Sequence, residues 1–369
     1  IVVNINGVTT GAAISGIVKC NAGVVKGCTQ KGNITVVGQT SSDLNALYAG
    51  GIACFASESD DYSKSTKAGS FINCVNNADI IVIKKSIAAI SYSQHCVGGI
   101  CAIVHQGVPS NYSVFEDCSN SGNIVRIDDD QNGKNNFSAV GGIIGRVSDA
   151  QYDYLKLSNT DNGFYVKINR CVNTGTIENS SYLLNGWTGN NVSGARMGVA
   201  GGIVGYIRGL NDNYAEITDC TTKCTVKGGH AISSNILGGI AGMSSYTKFS
   251  GCTAEVKFND SSLTGIDLLV GAVGGIVGYV RNNSDITVCS ADVEINMPGT
   301  VVSEYGLCTA GASTIDNGQI TVNVSNSKFC GSIAHKGLEV SVTVTEENLN
   351  ANLFSFGARI AADVTYWSK

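Results

Sequence analysis

The chain has little charge, little helix-forming sequence and no long apolar run, and each scarcity excludes a class of protein. Only 14% of its 369 residues are charged and 43% are hydrophobic, the reverse of the composition of disordered chains. No stretch approaches the ~20 consecutive apolar residues that span a bilayer. The net charge of −5 gives no electrostatic reason to expect nucleic acid or an anionic membrane as a partner.

Glycine is abundant instead, and it recurs in a motif. Among the 46 glycines are six copies of G-G-I: Gly50-Gly51-Ile52, Gly98-Gly99-Ile100, Gly141-Gly142-Ile143, Gly201-Gly202-Ile203, Gly238-Gly239-Ile240 and Gly274-Gly275-Ile276. An internal repeat decides the architecture, because each copy buries its apolar face only against its neighbours.

Cysteines mark a second position of the repeat. Eight of the 14 cysteines occur once per repeat: Cys28, Cys74, Cys118, Cys171, Cys220, Cys252, Cys289 and Cys330. We expect a mostly reduced interior ladder, because free cysteine packs as a small hydrophobe. Disulfides between equivalent positions are the alternative. The better candidates for local bridges are Cys20, Cys54, Cys96, Cys101, Cys224 and Cys308.

A turn follows these cysteines. Early copies resemble C-x-N-x-G-x-I, and Cys118–Ile124 and Cys171–Ile177 match it fully. Asn and Gly tolerate left-handed backbone, so they suit a corner that turns the same way in every repeat. The spacing from Cys to the next Ile or Val is six at Cys220 and four at Cys252. This change predicts a corner that shortens toward the C-terminus.

Short strands and turns that repeat without helices predict an all-β fold, a parallel β-solenoid (β-helix) of about eight repeats with loop insertions. A β-propeller is the alternative. We expect the repeat solenoid over residues 1–336 and a terminal coil or cap over 337–369, where Leu338–Thr345 alternate strictly but lack the repeat signals. Because Ile1 lies within what looks like a repeat, we expect a processed product or a piece of a longer protein.

The motif G-G-[IL]-x-G, followed by an aromatic or apolar residue, resembles the GLUG-type glycine-rich repeats of bacterial and protist surface proteins and adhesins. The resemblance covers about residues 10–335, although the C-x-N-x-G-x-I element departs from it. It implies an extracellular or cell-surface protein with a structural or adhesive, non-enzymatic role, as a filament subunit or a segment of a longer protein. The alternatives are a polysaccharide-acting β-helix enzyme with a site among residues 149–196 and a carbohydrate-binding module.

Alternation along the glycine strand predicts an exposed apolar row. If the motif isoleucines point inward, the next residue and the residue two positions further on point outward. The row consists of Phe55, Val204, Tyr206, Met243, Val277 and Tyr279. Because exposed apolar patches mark interfaces, we expect this row to serve self-association, a protein partner or a stacked carbohydrate. The alternative is that the long insertions bury it.

Two weaker signals concern a metal ion and glycosylation. Asp128, Asp130 and Asn132 open a D-x-D-x-N-G calcium loop of the EF-hand type, but Ala139 replaces the bidentate Glu. A solvated acidic loop is therefore the competing interpretation, and Ca²⁺ is the one cofactor indicated.

Sequons in long segments are candidate glycosylation sites if the chain crosses a glycosylating compartment: Asn111, Asn136, Asn179 and Asn191. The sequence contains no recognisable catalytic motif.

Overall fold

A computed structural model shows a stack of coils in which every regular element of the described residues is a β-strand. The structure describes residues 1–6, 11–40, 46–60, 65–86, 93–130, 136–148, 163–181, 197–229, 235–260, 268–296, 300–306, 308–312, 322–335, 338–344, 358–360 and 364–366. Successive coils pair through parallel strands, which confirms the parallel β-solenoid. Within the described ranges there is no helix long and apolar enough to cross a membrane.

Each sequence repeat forms one coil, and each coil contributes strands to four sheets in turn. The first sheet, which precedes the glycine turn, contains β2 (Ala12–Ser15), β7 (Ala46–Gly50), β12 (Ser93–Gly98), β17 (Asn136–Gly141), β22 (Met197–Gly201), β26 (Asn235–Gly238), β30 (Leu268–Gly274) and β34 (Thr300–Gly306). The second sheet, which follows this turn, contains β3 (Val18–Cys20), β8 (Ala53–Phe55), β13 (Cys101–Val104), β18 (Ile144–Val147), β23 (Val204–Arg208), β27 (Ala241–Ser245), β31 (Val277–Val280) and β35 (Thr309–Ala312).

The other two sheets lie on either side of the cysteine corner. The third sheet contains β4 (Val24–Lys26), β9 (Ser70–Ile72), β14 (Ser113–Glu116), β19 (Val166–Asn169), β24 (Ala215–Thr218), β28 (Thr247–Ser250), β32 (Ser284–Thr287) and β36 (Val322–Ser325). The fourth contains β1 (Val2–Asn6), β5 (Thr29–Gln30), β6 (Ile34–Thr40), β10 (Val75–Asn76), β11 (Ile80–Ser86), β15 (Ser119–Asn120), β16 (Ile124–Asp130), β20 (Val172–Asn173), β21 (Ile177–Ser181), β25 (Thr221–Gly229), β29 (Thr253–Asp260), β33 (Ser290–Asn296), β37 (Lys328–His335) and β38 (Leu338–Val344).

The eight coils, numbered from the strands of the first sheet, stack in register. The last glycine of β7 pairs with that of β12, and the match continues through β17, β22, β26, β30 and β34. Neighbouring parallel strands lie about 4.8 Å apart. Equivalent side chains therefore form ladders along the axis of the solenoid.

The glycine strand that the sequence predicts as one element is two strands joined by a tight turn. In coil 5, β22 ends at Gly201 and β23 begins at Val204. In coil 2, a Cβ on Gly50 would lie 1.8 Å from the Ala53 carbonyl oxygen, and a Cβ on Gly51 would lie 2.1 Å from the Gly99 carbonyl oxygen. Real Cβ atoms do not approach so closely, so the turn requires glycine at both positions.

The asparagines of the C-x-N-x-G-x-I corner form a buried ladder against these glycines. Asn76 Nδ2 donates to Asn120 Oδ1 at 2.7 Å, and Asn120 Nδ2 donates to Asn173 Oδ1 at 2.7 Å. All three are at most 1% exposed. A Cβ on Gly99 would lie 2.8 Å from Asn120 Oδ1. The two motifs that recur in the sequence are therefore in contact inside each of these coils.

The predicted shortening of the corner toward the C-terminus is wrong. Val226 pairs with Phe258, and Phe258 pairs with Ile295. These three equivalent residues lie six positions after Cys220, Cys252 and Cys289, so the corner keeps its length. The conformation of the corner changes instead. Thr222 and then Ala254 take the position of the asparagine, and they pair with each other within two long strands, β25 and β29. The asparagine turn is thereby replaced by continuous strand.

Six of the predicted ladder cysteines are buried in consecutive coils: Cys74, Cys118, Cys171, Cys220, Cys252 and Cys289. The Cys118 thiol lies 3.4 Å from the Phe71 carbonyl oxygen and 3.5 Å from that of Glu116, and the following coils repeat this arrangement. All 14 cysteines of the chain are free. The interior position of the ladder is confirmed for these six cysteines, and their reduced state stays a prediction.

Cys330 does not belong to this ladder. Lys328 pairs with Ser290, which places Ser327 at the ladder position of coil 8. The buried Ser327 hydroxyl donates to the Ser325 carbonyl at 2.8 Å. The ladder thiols likewise contact the carbonyl oxygen of the residue two positions earlier in the chain. The alignment on cysteine was misleading here because serine and cysteine occupy almost the same space.

Every coil turns through a left-handed residue directly before the ladder position. These residues have φ between 49° and 66° and are Gly27, Asn73, Asp117, Arg170, Asp219, Gly251, Val288 and Asn326. Gly, Asn and Asp accept this conformation readily. Val288 is the outlier, since a β-branched residue is strained there.

Antiparallel pairing occurs at the C-terminal end of the described chain. β38 pairs antiparallel with β37, so the last strand of the fourth sheet does not continue the parallel stack. β39 (Ala358–Ile360) and β40 (Val364–Tyr366) form a separate antiparallel pair. The division between residues 1–336 and 337–369 stays a prediction.

Candidate binding surface

The apolar row that alternation predicts on the outside is not exposed, so this prediction is wrong. Val204 and Val277 are fully buried in the main core with the motif isoleucines. The glycine turn places two successive residues inside, because the chain changes direction between them. A strict period of two therefore does not continue from the first sheet into the second.

The remaining members of the row lie in a second apolar layer. Phe55, Tyr206 and Met243 are at most 2% exposed, and Tyr279 is half-buried. They pack with residues of the first sheet, including Val199. The second sheet approaches the first so closely that a Cβ on any of its central glycines would meet first-sheet backbone at 2.6–2.9 Å. The first sheet therefore contributes to covering this row.

The calcium-loop prediction falls mostly at the edge of the described residues. Asp128 and Asp130 end the extended strand β16, whereas Asn132 lies outside the described residues. Among the described residues, no group of three or more His, Cys, Asp or Glu side chains could hold a metal ion. Calcium binding at this loop stays a prediction.

One of the four predicted glycosylation sites is wrong. Asn179 is 2% exposed, and its amide donates to the carbonyl groups of Ser138 and Val199 at 3.3 and 3.1 Å. Asn111 is half-buried, and its amide donates to the Thr66 carbonyl at 2.7 Å. The Asn136 side chain and the whole of Asn191 lie outside the described residues.

The aromatic row that is partly exposed lies at the start of the third sheet. We call the half-buried side chains Tyr112, Tyr165, Tyr214 and Tyr246 the tyrosine face. Each precedes its ladder cysteine by six residues in coils 3 to 6. This Y-x5-C pattern is absent from the predictions above, although its constant spacing in four successive repeats is a signal that the sequence contains.

The tyrosines contact one another and nearby lysines. The rings of Tyr112 and Tyr165 are 4.9 Å apart at 71°, and those of Tyr214 and Tyr246 are 5.8 Å apart at 58°. Lys167 Nζ lies 5.7 Å from the centres of both Tyr112 and Tyr165. Lysines at such distances are attracted to the ring faces. The face therefore consists of two edge-to-face or tilted ring pairs, each with a cation beside it.

Charges of alternating sign form the next row on the same side of the sheet. Lys167 pairs in register with Glu216, which pairs with Lys248. Lys167 Nζ lies 3.4 Å from a Glu216 carboxylate oxygen, and the Tyr165 hydroxyl donates to Glu216 at 2.7 Å. Partial burial and this hydrogen bond raise the pKa of Tyr165. The phenol therefore stays protonated and acts as a donor at neutral pH.

Hydroxyl and amide groups form a third row. Asn169, Thr218, Ser250 and Thr287 pair in register and are half-buried. Since residues two apart in a strand point to the same side, the three rows run side by side along the axis. Together they provide ring edges and faces, paired charges and neutral hydrogen-bonding groups.

A second surface feature is a groove on the fourth sheet in coils 4 to 8, with a volume of about 740 Å³. Its walls carry Lys223, which contacts Glu255 at 2.7 Å, and Lys257, which contacts Glu294 at 2.7 Å. Asp292 also lines the groove and pairs in register with Glu255. The groove therefore brings three carboxylates from adjacent coils together and matches two of them with lysines.

Comparisons with models of known protein families, with curated proteins and with solved structures found no match to this chain.

Proposed function

We propose that the chain is a non-enzymatic structural or adhesive repeat protein that acts outside the cell or on its surface, as a filament subunit or a segment of a longer protein. The tyrosine face is the observation that carries this proposal. Tyrosine supplies a large, rigid, amphipathic contact area at low entropic cost and is therefore common at binding surfaces. The third sheet presents four such half-buried side chains on consecutive coils.

The stacked architecture supports a scaffold role. The strands of the third sheet keep one register through all eight coils, so the groups on this sheet are held in fixed rows along its length. The connections from the fourth sheet to the first differ in length and join strands that stack in register. In repeat proteins, loop insertions between the strands of a coil often bind partners. This arrangement favours a protein partner, a second copy of the chain or a carbohydrate as the ligand.

The resemblance to GLUG-type repeats implies an extracellular location, and the burial of Cys101 and Cys171 is compatible with it. Burial raises the pKa of the Cys101 and Cys171 thiols, and the thiolate is the form that reacts with oxidants. A folded chain would therefore keep these thiols reduced in an oxidising compartment.

Attachment of protein-coated beads tests the proposal. We expect beads that carry the chain to attach to surfaces coated with cell-wall or extracellular-matrix material. Beads that carry the double variant Tyr165→Ala/Tyr214→Ala should attach at least ten-fold less. A variant in the groove, Lys223→Ala, is the matched control and should attach as the wild type does. Equal attachment of both variants would contradict a role for the tyrosine face.

The carboxylates of the groove favour a second candidate, a polysaccharide-acting β-helix enzyme. Glycoside hydrolysis requires two carboxyl groups on either side of the scissile bond, and Glu255, Asp292 and Glu294 lie within one groove. Release of reducing sugar or unsaturated product from polysaccharides tests this candidate. Turnover that is lost in Glu255→Gln or Glu294→Gln would establish the enzyme and contradict the non-enzymatic proposal.

A further inference from the structure

We infer that the tyrosine face binds a neutral polysaccharide that lies along the axis of the solenoid across coils 3 to 6. This inference rests on the proposed binding role of that face and names its ligand. Three features carry it: the balance of charge on the face, the regular spacing of its rows, and the combination of aromatic and hydrogen-bonding groups.

The charges on the face are already matched within the protein. Lys167 lies between the Glu216 carboxylate and the rings of two tyrosines, and Lys248 Nζ lies 5.6 Å from the centre of the Tyr214 ring. At the end of the same sheet, Arg170 contacts Glu116 and Asp117 at 2.8 and 2.7 Å. A polyanion or a polycation would have to compete with these contacts. A neutral ligand keeps them intact, which is why the charge pattern selects an uncharged polymer.

The spacing of the rows suits a polymer with a short, regular repeat. The tyrosines recur once per coil, and coils repeat about every 4.8 Å. Four coils give a track of roughly 19 Å by this spacing. A chain of sugar rings offers one apolar ring face and several hydroxyl groups in each unit, so it can meet successive tyrosines in the same way. Folded proteins other than stacked-coil proteins such as this chain have no such repeat on their surfaces.

The groups beside the tyrosines match the chemistry of sugar hydroxyls. Glu216 accepts hydrogen bonds, Lys167 donates them, and Asn169 and Thr218 do both. Each lies on the same side of the sheet as the rings. Tyrosine rings offer apolar faces to the C–H groups of the sugar and a hydroxyl at the rim. The face therefore offers apolar contact along its tyrosines and these hydrogen bonds to the units of the ligand that lie on coils 4 and 5.

Affinity electrophoresis of the whole chain through gels that contain a polysaccharide tests this inference. The probes are a β-glucan, a mannan and a galactan as neutral polymers, with alginate and heparin as polyanions. We expect at least one neutral polymer to retard the chain, and addition of 0.5 M salt (~4 Å Debye length) to leave the retardation unchanged. Tyr165→Ala/Tyr214→Ala should weaken binding at least ten-fold, whereas Tyr165→Phe, which keeps the ring, should change it less than three-fold. Circular dichroism confirms that each variant is folded.

The outcomes separate this inference from the proposed function. Retardation by the polyanions alone, retardation that the folded double variant keeps, or no retardation by any probe would overturn the inference. If bead attachment still depends on the tyrosines, the adhesive role stands, and the ligand is a polyanion in the first case and a protein in the other two. Cleavage of a polymer would instead overturn the proposed non-enzymatic role.

Discussion

The middle rung of the asparagine ladder is a position where one substitution should strongly destabilise the stack. Asn120 donates to Asn173 Oδ1 at 2.7 Å and to the Gly122 carbonyl at 2.8 Å, and it accepts from Asn76 Nδ2 at 2.7 Å. Asn120→Ala removes all three hydrogen bonds, and each of the three buried partner atoms then lacks one hydrogen bond. At about 1 kcal/mol or slightly more for each, we expect a loss of about 3–4 kcal/mol.

Hydrogen exchange followed coil by coil is the suitable assay, because stability in a solenoid is local. A loss of about 3 kcal/mol corresponds to roughly 100-fold faster exchange, at about 1.4 kcal/mol for each factor of ten. The Ser121 amide, which donates to the Asn76 carbonyl at 2.9 Å, reports this directly. Amides of coils 6 and 7 should keep their protection.

The matched control is Asn123→Ala in the same coil. Asn123 is exposed, and its side chain accepts one bond, from the Thr176 amide at 3.2 Å. Its removal should change stability by no more than about 0.5 kcal/mol, as is usual for surface positions. Equal effects of Asn120→Ala and Asn123→Ala would show that the buried amide ladder does not hold coils 2 to 4 together.

Three further predictions follow from the turns and the thiols. Val288→Asn should raise the urea midpoint by the equivalent of about 1 kcal/mol, because asparagine accepts the left-handed φ of 54°; an unchanged midpoint would show that the corner stores no strain. Gly99→Ala should destabilise by about 3 kcal/mol or prevent folding, since its Cβ would lie 2.1 Å from the Gly142 carbonyl oxygen. Gly32→Ala, where nothing lies within 4 Å, should cost less than about 1 kcal/mol, and equal losses would contradict the turn geometry. Burial raises the pKa of Cys54 to about 12, so iodoacetamide at pH 8 should label this thiol only after unfolding; failure to label it in urea without reductant would reveal a disulfide.

The fold could be predicted from the sequence because its signals are local and repeated. The glycine turn and the cysteine spacing recur with the coil, and each reflects a steric need that any copy must meet. What the sequence could not indicate is the contact between the two motifs. Gly99 and Asn120 lie 21 positions apart, and only the closed coil brings the Gly99 Cα against the amide of Asn120.

The candidate site shows where reasoning from alternation ends. Val204 was expected outside because a period of two was carried through the glycine turn, yet a turn resets the side to which the next residue points. The tyrosine face was available as a spacing pattern, since Tyr165 and Tyr214 each precede a cysteine by six residues. Its exposure was not available, because burial depends on how the second and third sheets meet. The three-row arrangement with Lys167 likewise appears only when the coils are stacked.

Stacking in register also has a mechanical consequence. The hydrogen bonds between coils run along the axis, so tension applied along the axis loads all bonds between two coils at once. When that layer fails, one coil peels away and its whole contour length becomes available. The equivalent glycines of coils 6 and 7, Gly238 and Gly274, lie 36 residues apart. That length extends to roughly 120 Å, whereas the folded coil adds only about 4.8 Å to the stack. A chain under load would therefore lengthen in large discrete steps. Each step dissipates mechanical energy and lowers the tension before the next coil is loaded.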